Sequence, residues 1–250
     1  MTTGHRRYFL VLAGLFTALF AVLAINPLYR HDWLLENALV LAFVVALAAT
    51  WRWFTFSRVS GTLIFLFMCL HELGAHWTYS EVPYDEWFRA WTGSTLNERM
   101  GWERNHFDRL VHFSYGLLLA YPIREIFLRI ANVRGFWGYF LPLDLTMSTS
   151  MLFELFEWMA AEMFGGDLGQ AYLGTQGDVW DAHKDMALAS LGALIAMLVT
   201  AALNAWLQKD FAQEWSDSLR IKGKEPLGET AIVHMIDERR SGAPANQTSE

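Results

Sequence analysis

Long apolar blocks alternate with shorter polar segments along most of this chain. A helix needs about 20 mostly apolar residues to cross the hydrocarbon core of a bilayer. Six stretches are long enough, and they lie near residues 8–25, 34–53, 59–79, 108–128, 137–164 and 181–207. The pattern therefore predicts an all-α, polytopic transmembrane bundle of about six spans in a single domain, residues 1–207. Residues 208–250 are polar, and we expect them to form a partly disordered tail.

The positions of lysine and arginine predict how the bundle is oriented. If the N-terminus lies inside, each short inner loop is basic and the outer loops are rich in aspartate and glutamate. The positive-inside rule then places both termini in the cytoplasm. The basic start and the apolar block after it also resemble a signal peptide. That block is long for a signal peptide, so we expect it to be retained as the first span.

The composition suits a membrane protein and argues against other classes. Apolar residues make up 54% of the 250 positions, and the twelve tryptophans suit a protein with two membrane interfaces. A net charge of −7 without a basic stripe argues against a nucleic-acid partner. The single cysteine, Cys69, rules out both a disulfide framework and a cysteine metal cluster.

Four clusters of ionisable residues fall at the outer side of the predicted bundle. They lie at the outer end of the third span, the start of the fourth, the outer half of the fifth and the start of the sixth. Charged groups at membrane depth are costly and normally face a bundle interior or a wet cavity. The coincidence predicts a polar site that opens to the extracytoplasmic side. The clusters are His71, Glu72 and His76; His106, Asp108, Arg109 and His112; Glu154 and Glu157; Asp178, Asp181, His183 and Asp185.

The first cluster comes close to a zinc-protease motif, because the segment HELGAH at 71–76 is one residue longer than HExxH. On a helix His71 and His76 point about 140° apart, so they cannot share a metal as that motif requires. Glu72 and His76 are four residues apart and share a face. We therefore expect Glu72 and His76 to join the site, and we leave the role of His71 open.

Three uses fit such a set of residues. Carboxylates and histidines from several helices bind metals in helical bundles, and a carboxylate-rich set favours Mg, Mn, Ca or Fe over Zn. A site without metal would use a histidine as proton carrier and a carboxylate to fix its tautomer. Arginines would bind a phosphate through paired hydrogen bonds.

Each use has its own candidate residues. The catalytic candidates are Asp108, His112, Glu157 and Asp181. The substrate-binding candidates are Arg104, Arg109 and Gln176, the last in the glycine-rich loop before the sixth span. The candidate metal ligands are Glu72, His76, Asp108, His112, Glu154, Glu157, Asp178, Asp181 and Asp185, and His71, His106 and His183 remain unassigned between ligand and proton carrier.

Four segments resemble the YjdF family of bacterial inner-membrane proteins, whose activity is not established. The resemblance covers roughly residues 30–207 and implies a multi-pass protein of the bacterial inner membrane. It also implies that the motif residues matter, but it supplies no reaction. The segments are HELGAHWTYSEVP, ERNHFDRLVHFSYG, ELFEW and LGTQGDVWDAHKDM, the last followed by a helix of small residues with Gly192.

A more distant similarity links residues 108–113, DRLVHF, to VanZ-like proteins, which carry an Asp-Lys/Arg-x-x-His-Phe block. Those proteins also have a late acidic motif before a small-residue helix, as this chain has between Asp178 and Gly192. The HELGAH segment and the longer outer loop depart from that group. Its role is therefore not carried over.

Our leading hypothesis is a metal-assisted hydrolase or transferase that acts on a lipid or lipid-linked envelope molecule, with a phosphate held by Arg109. Membrane lipids are the expected partners. The alternatives are a non-enzymatic binder or carrier of a cation or lipid, or a structural envelope-stress protein whose polar network only holds the helices together. The sequence does not decide between them, nor does it fix the oligomeric state.

Overall fold

A computed structural model describes residues 3–164, 173–222 and 228–241, and all regular structure in these ranges is α-helical. The predicted all-α fold is therefore confirmed. The helices are α1 (Thr3–Leu23), α2 (Arg30–Thr50), α3 (Arg58–His76), α4 (Tyr84–Thr92), α5 (Leu96–Met100), α6 (Phe107–Arg129), α7 (Trp137–Phe164), α8 (Asp181–Leu207), α9 (Phe211–Ser218) and α10 (Glu229–Ser241).

Four of the described helices, α1, α2, α3 and α8, have the length and composition needed to cross a membrane. Helices α6 and α7 are long enough at 23 and 28 residues, but each contains several ionisable residues and an internal proline. Both pack on α8 and on each other, and α6 also packs on α3. A central helix can carry such residues because they face protein rather than lipid. The count of six spans and the orientation stay predictions.

Two helix boundaries differ from the predicted ones for a physical reason. Helix α2 begins at Arg30 rather than near residue 34, because Asp32 and Glu36 in its first turns are buried against the bundle. Helix α3 ends at His76 rather than near residue 79. There Thr78 and Tyr79 adopt positive φ angles of 55° and 48°, which turn the chain back over the helix end.

The closest helix contact joins α6 to α8 through two glycines. A Cβ atom added to Gly116 would lie 1.8 Å from the carbonyl oxygen of Ala189, and one added to Gly192 would lie 2.2 Å from that of Phe113. Ala189 and Ala193 beside them are completely buried. Small residues allow helix backbones to touch in this way, which is a common basis of packing between membrane helices. The contact fixes the start of α8 beside the start of α6.

The hydrophobic core is divided between two sides of α6. One cluster joins the inner halves of α6, α7 and α8 around Ala120, Tyr139 and Met197. A second cluster joins α2 and α3 around Ile64 and Met68. The space between α2, α3, α6 and α7 is not filled by either cluster, and it forms the cavity described below.

The start of the tail is ordered rather than disordered. In α9, Phe211 and Trp215 pack on the ring of Tyr139. The Ser218 hydroxyl accepts a hydrogen bond from the backbone N–H of Phe136. The apolar residues of α9 thus pack against the loop before α7, which the polar composition of the tail did not reveal. Residues 242–250, the end of the expected disorder, lie outside the described residues.

The α6–α8 contact gives a stability prediction. Gly116→Ala adds a methyl group against a backbone oxygen that cannot move alone, so we expect the helices to separate and the protein to lose about 1–3 kcal/mol. Gly14→Ala is the control, because nothing lies within 4 Å of the added atom. Alanine favours a helix over glycine, so this control should be neutral or stabilising by up to about 1 kcal/mol. Thermal unfolding in detergent measures both, and equal behaviour would contradict the contact.

Candidate functional site

The centre of the site brings together side chains from three helices. The His112 Nε2 atom lies 3.6 Å from Asp108 Oδ1 on the same helix, α6, and 3.5 Å from Glu154 Oε1 on α7. Ligand atoms of Asp108, His112 and Asp185 all lie within 4.8 Å of one another. We call Asp108, His112, Glu154 and Asp185 the acid–histidine cluster. Asp108 is half-buried and the other three are buried.

Helix spacing and the glycine contact explain why these residues meet. Asp108 and His112 are four residues apart and share a face of α6. That face is held against α8 because the backbones touch at Gly116. The first turns of α8 therefore present Asp185 to the same point, and α7 adds Glu154 from the other side of α6.

The acid–histidine cluster is rich in acceptors and short of donors. Buried oxygens of Glu154 and Asp185 have no hydrogen-bond partner among the described residues. Unpaired buried carboxylates are strongly unfavourable unless protons or a cation neutralise them. Three carboxylates and one imidazole within a few ångströms form a donor set that suits Mg, Mn, Ca or Fe. The residues present therefore fit a divalent cation.

A second polar group, which we call the histidine–tyrosine relay, links α2 to α3. The Tyr79 hydroxyl lies 2.6 Å from His71 Nδ1 and donates to Glu36 Oε2 at 3.4 Å. The hydroxyl has one proton, so when Tyr79 donates it to a Glu36 carboxylate, His71 Nδ1–H donates to the Tyr79 oxygen. In that arrangement the lone pair is on His71 Nε2, which is buried without a hydrogen-bond partner among the described residues. An imidazole held in this way can accept a proton.

Gly74 explains how Tyr79 reaches His71. A Cβ atom on Gly74 would lie 2.4 Å from the Tyr79 ring, so only glycine leaves room for the ring against α3. The backbone N–H of Tyr79 also donates to the Gly74 carbonyl. Gly74 therefore leaves room for Tyr79, and Tyr79 orients His71.

The three ionisable residues of HELGAH, His71, Glu72 and His76, have different surroundings. His76 bonds through Nδ1 to the carbonyl of Leu23 at the end of α1, 2.7 Å away, and so does not join Glu72. Glu72 is fully buried, and neither of its carboxylate oxygens has a protein partner among the described residues. His71, whose role the sequence left open, lines the cavity instead.

Ion pairs form a rim above the acid–histidine cluster. Arg104 donates to both carboxylate oxygens of Asp181, at 2.7 and 3.2 Å. Arg109 donates to Asp178 at 2.6 Å and to Asp181 at 3.1 Å. Lys184 also donates to Asp178, at 2.5 Å. We call these five residues the ionic rim. Its two acids are paired with its three cations, which leaves one net positive charge, whereas Asp185, one turn further along α8, lies in the cluster.

Three remaining candidates lie at or outside the rim. Gln176 is exposed and exchanges two hydrogen bonds with the backbone of Asn105, which ties two loops together. His106 packs its ring on Trp102 and approaches Arg109 through Nδ1 at 3.3 Å. His183 is exposed and packs beside Trp180, away from the cluster.

A cavity of about 350 Å³ extends from the polar groups into the bundle. Its outer end is lined by His71, Tyr79, Asp108, His112 and Glu157, and its remaining walls are almost entirely aliphatic and aromatic. This volume lies in the range of small-molecule pockets. The site therefore combines buried acid–base groups with an apolar chamber.

The sequence analysis missed Glu36 and Tyr79. The signal for Glu36 was present, because Asp32 and Glu36 are four apart at the outer end of the second span. The same reasoning that selected Asp108 and His112 selects this pair as well. Tyr79 carried no comparable signal, since its position depends on the turn after α3.

The family comparison agrees with a membrane bundle. The family model described as "Predicted membrane protein (DUF2238)" matches residues 8–205, which include every residue of the cluster, the relay and the rim. The chain belongs to this family. The inner membrane protein YjdF of Escherichia coli (strain K12) is similar, with 36% identity over 184 residues that cover 72% of this chain and 84% of that protein. No solved structure matches the chain.

These comparisons confirm the resemblance to the YjdF family and the predicted location in the bacterial inner membrane. They also agree with the multi-pass helical fold, since the match spans α1 to α8. The similarity to VanZ-like proteins stays a prediction, as do the metal, the lipid and the reaction.

The ionic rim gives a prediction about pH. Hydrogen bonds from Lys184, from the Trp180 backbone and from Arg109 hold the pKa of the Asp178 carboxyl well below its usual range. A depressed pKa stabilises the fold above the ordinary value, near pH 4, and the contribution is lost as the pH falls through the native value. We expect Asp178→Asn to be less stable than wild type at neutral pH, with the gap narrowing in acid. Unfolding curves recorded between about pH 3 and pH 7 test this. A gap independent of pH would contradict it.

Proposed function

We propose that this protein is a membrane-embedded hydrolase or transferase that acts, with a divalent cation, on a lipid or lipid-linked envelope molecule. The observation that carries the proposal is the acid–histidine cluster, in which ligand atoms of Asp108, His112 and Asp185 lie within 4.8 Å of one another, and in which Asp108 and His112 border an apolar cavity. Acidic groups buried without donors are costly, so the cluster needs a cation or protons to exist.

The cation would be held by Asp108, His112 and Asp185, with Glu154 3.5 Å from His112 as a fourth member. A bound divalent cation supplies Lewis acidity and makes water more acidic. The side chains that surround the cavity then handle protons and position the substrate.

We assign proton transfer to the histidine–tyrosine relay and to Glu157. His71 lines the cavity, and its Nε2 atom is buried with no hydrogen-bond partner among the residues that the structure describes, which suits it to accept a proton. Tyr79 and Glu36 fix the ring by bonding its other nitrogen, which is the usual way a catalytic histidine is oriented. Glu157 lines the cavity from α7, where it can protonate a leaving group.

The ionic rim supplies positive charge for a phosphate. Arg109 is paired with two acids through Nη2 alone, and its Nε atom is buried without a hydrogen-bond partner. The guanidinium group thus keeps a donor for an anionic oxygen, and arginine binds phosphate well through its planar set of donors. Arg104 is fully engaged with Asp181 and with loop carbonyls, so we assign it to holding the rim together.

An ion carrier fits the cavity less well than an enzyme does. A carrier needs polar groups along a route to the inner side. Toward that side the cavity is lined by Leu119, Pro122, Ile123 and Ile126 of α6, all apolar. Uptake of the cation into proteoliposomes would favour the carrier over the enzyme.

The metal part of the proposal predicts a defined loss on mutation. Purified protein stripped with chelator and reloaded should bind about one Mn²⁺ or Mg²⁺ per chain. We expect Asp108→Asn and Asp185→Asn to bind at least about tenfold more weakly, because each removes a charged ligand. Asp144→Asn is the control, since Asp144 lies exposed on α7, far along the helix from Glu154. Metal analysis and calorimetric titration measure the effect. Wild-type protein without stoichiometric binding would exclude the metal.

The proton-transfer part predicts a different pattern. His71→Gln should lower turnover by about 10²–10⁴-fold, the usual contribution of a general acid–base group, and leave metal binding intact. Tyr79→Phe should cause a smaller loss, because the ring stays in place but loses its orienting bond. Turnover is followed by mass spectrometry of an inner-membrane lipid extract incubated with the protein. If wild type and His71→Gln change no lipid, the enzyme assignment is wrong.

A further inference from the structure

The cavity follows one continuous stripe of α6. The stripe steps by three and four residues from Asp108 and His112 through Tyr115 and Leu119 to Ile126. At 1.5 Å per residue, the ends of this stripe are about 27 Å apart, close to the 30 Å thickness of a bilayer core. A cavity of about 350 Å³ spread over such a length is narrow. We call this cavity the channel, and a space of this length and volume suits one linear chain.

Polarity changes along the channel in one direction only. The acidic and histidine side chains lie at the outer end, and halfway down the Tyr115 hydroxyl is paired with Thr149 at 2.6 Å. Further inward the walls are apolar, and we call this part the shaft. It is lined by Phe43, Phe56, Ile64, Leu119, Pro122, Ile123 and Ile126.

The shaft suits a hydrocarbon better than water. A buried water needs about two to four polar partners, and the lining of the shaft offers none from its side chains. Apolar surface facing apolar atoms is favourable by roughly 25 cal/mol per Å² relative to water. The occupant must therefore be apolar along most of its length and polar at its outer end.

Access to the shaft is from the side. Helix α2 packs on α3, whereas α7 packs on α6 and α8, so the cavity lies between two separately supported helices. Two of its lining residues reach the surface of the bundle, Leu39 on α2 with 48% exposure and Ile126 on α6 with 38%. Leu39 lies in the middle of α2, an apolar helix long enough to cross a membrane, whereas Ile126 lies in the last turn of α6. The opening beside Leu39 therefore faces lipid tails and not the aqueous phase.

We propose that the shaft binds one acyl chain of a membrane phospholipid, which enters sideways between α2 and α7 and places its head group at the acid–histidine cluster. The carboxylate of Glu157 at the outer end is not a proposed cation ligand, and it favours a head group with an ammonium group, as in phosphatidylethanolamine. The inference builds on the proposed function by naming the class of substrate. Chain binding itself requires neither metal nor turnover.

The experiment measures phosphatidylethanolamine retained by the purified full-length protein, using octanoyl, lauroyl and palmitoyl forms and native mass spectrometry. Leu119→Trp fills the middle of the shaft, and Ile126→Trp fills its inner end. We expect Leu119→Trp to bind the palmitoyl form about tenfold more weakly and to keep the octanoyl form. Ile126→Trp should weaken binding of the palmitoyl form alone. Leu110→Trp is the control, because Leu110 lies on α6 outside the cavity with 48% exposure.

A shift of chain-length preference with the position of the tryptophan supports the shaft, because lipids bound around the outside of the bundle would not show it. The same chain profile in all variants would overturn the proposal, and so would a polyprenyl phosphate as the retained lipid. If Leu119→Trp fails to fold, Ile126→Trp at the more exposed inner end decides. Asp185→Asn should keep the palmitoyl form, because Asp185 is a proposed cation ligand that does not line the cavity, so loss of metal binding and loss of chain binding are separate results.

Discussion

The contact between the backbones of α6 and α8 is the constraint on which the site depends. Gly116 and Gly192 let the two helices touch, and the touching backbones fix the rotation of each helix about its axis. That rotation turns Asp108 and His112 toward Asp185 and the ionic rim. Between membrane helices there is little hydrophobic force to compensate for a gap, so close packing of small residues carries much of the association. The arrangement of the site therefore depends on Gly116 and Gly192, because neither has a Cβ atom that would keep the helices apart.

Two kinds of polar arrangement follow from that contact, and they differ in their balance of charge. In the ionic rim, Asp178 and Asp181 meet Arg104, Arg109 and Lys184, so both acids are paired and one positive charge is left over. In the acid–histidine cluster, His112 is the one basic side chain among the described residues within ion-pair distance of the carboxylates. A structural network resembles the first arrangement, because each buried charge is paired. In the second arrangement, buried carboxylate oxygens have no hydrogen-bond donor among the described residues, and the arrangement lies at the polar end of an apolar channel.

The structure brings several of the residues predicted from the sequence together, but it places the members of HELGAH differently from the spacing argument. Helical spacing pairs Glu72 with His76, yet the structure turns His76 toward α1 and brings His71 to the cavity. Helical spacing shows which residues share a face of the helix, but it does not show which face packs against the neighbouring helices. Tyr79 decides that question by folding back over Gly74, and a turn with two positive φ angles has no periodic signal. Glu36 was within reach of the same spacing argument and was overlooked.

By itself the sequence determined the helical membrane fold, the family and the side of the bundle on which the ionisable residues gather. These properties depend on hydrophobic length, charge distribution and local motifs, which are readable along the chain. Only the tertiary structure decided that Asp178 and Asp181 pair with arginines while Asp185 joins His112 and Asp108. It alone also revealed the apolar channel, whose walls come from four helices. The physical reason is that pairing and empty space depend on helix rotation and distance, and these are set by contacts between residues far apart in the chain.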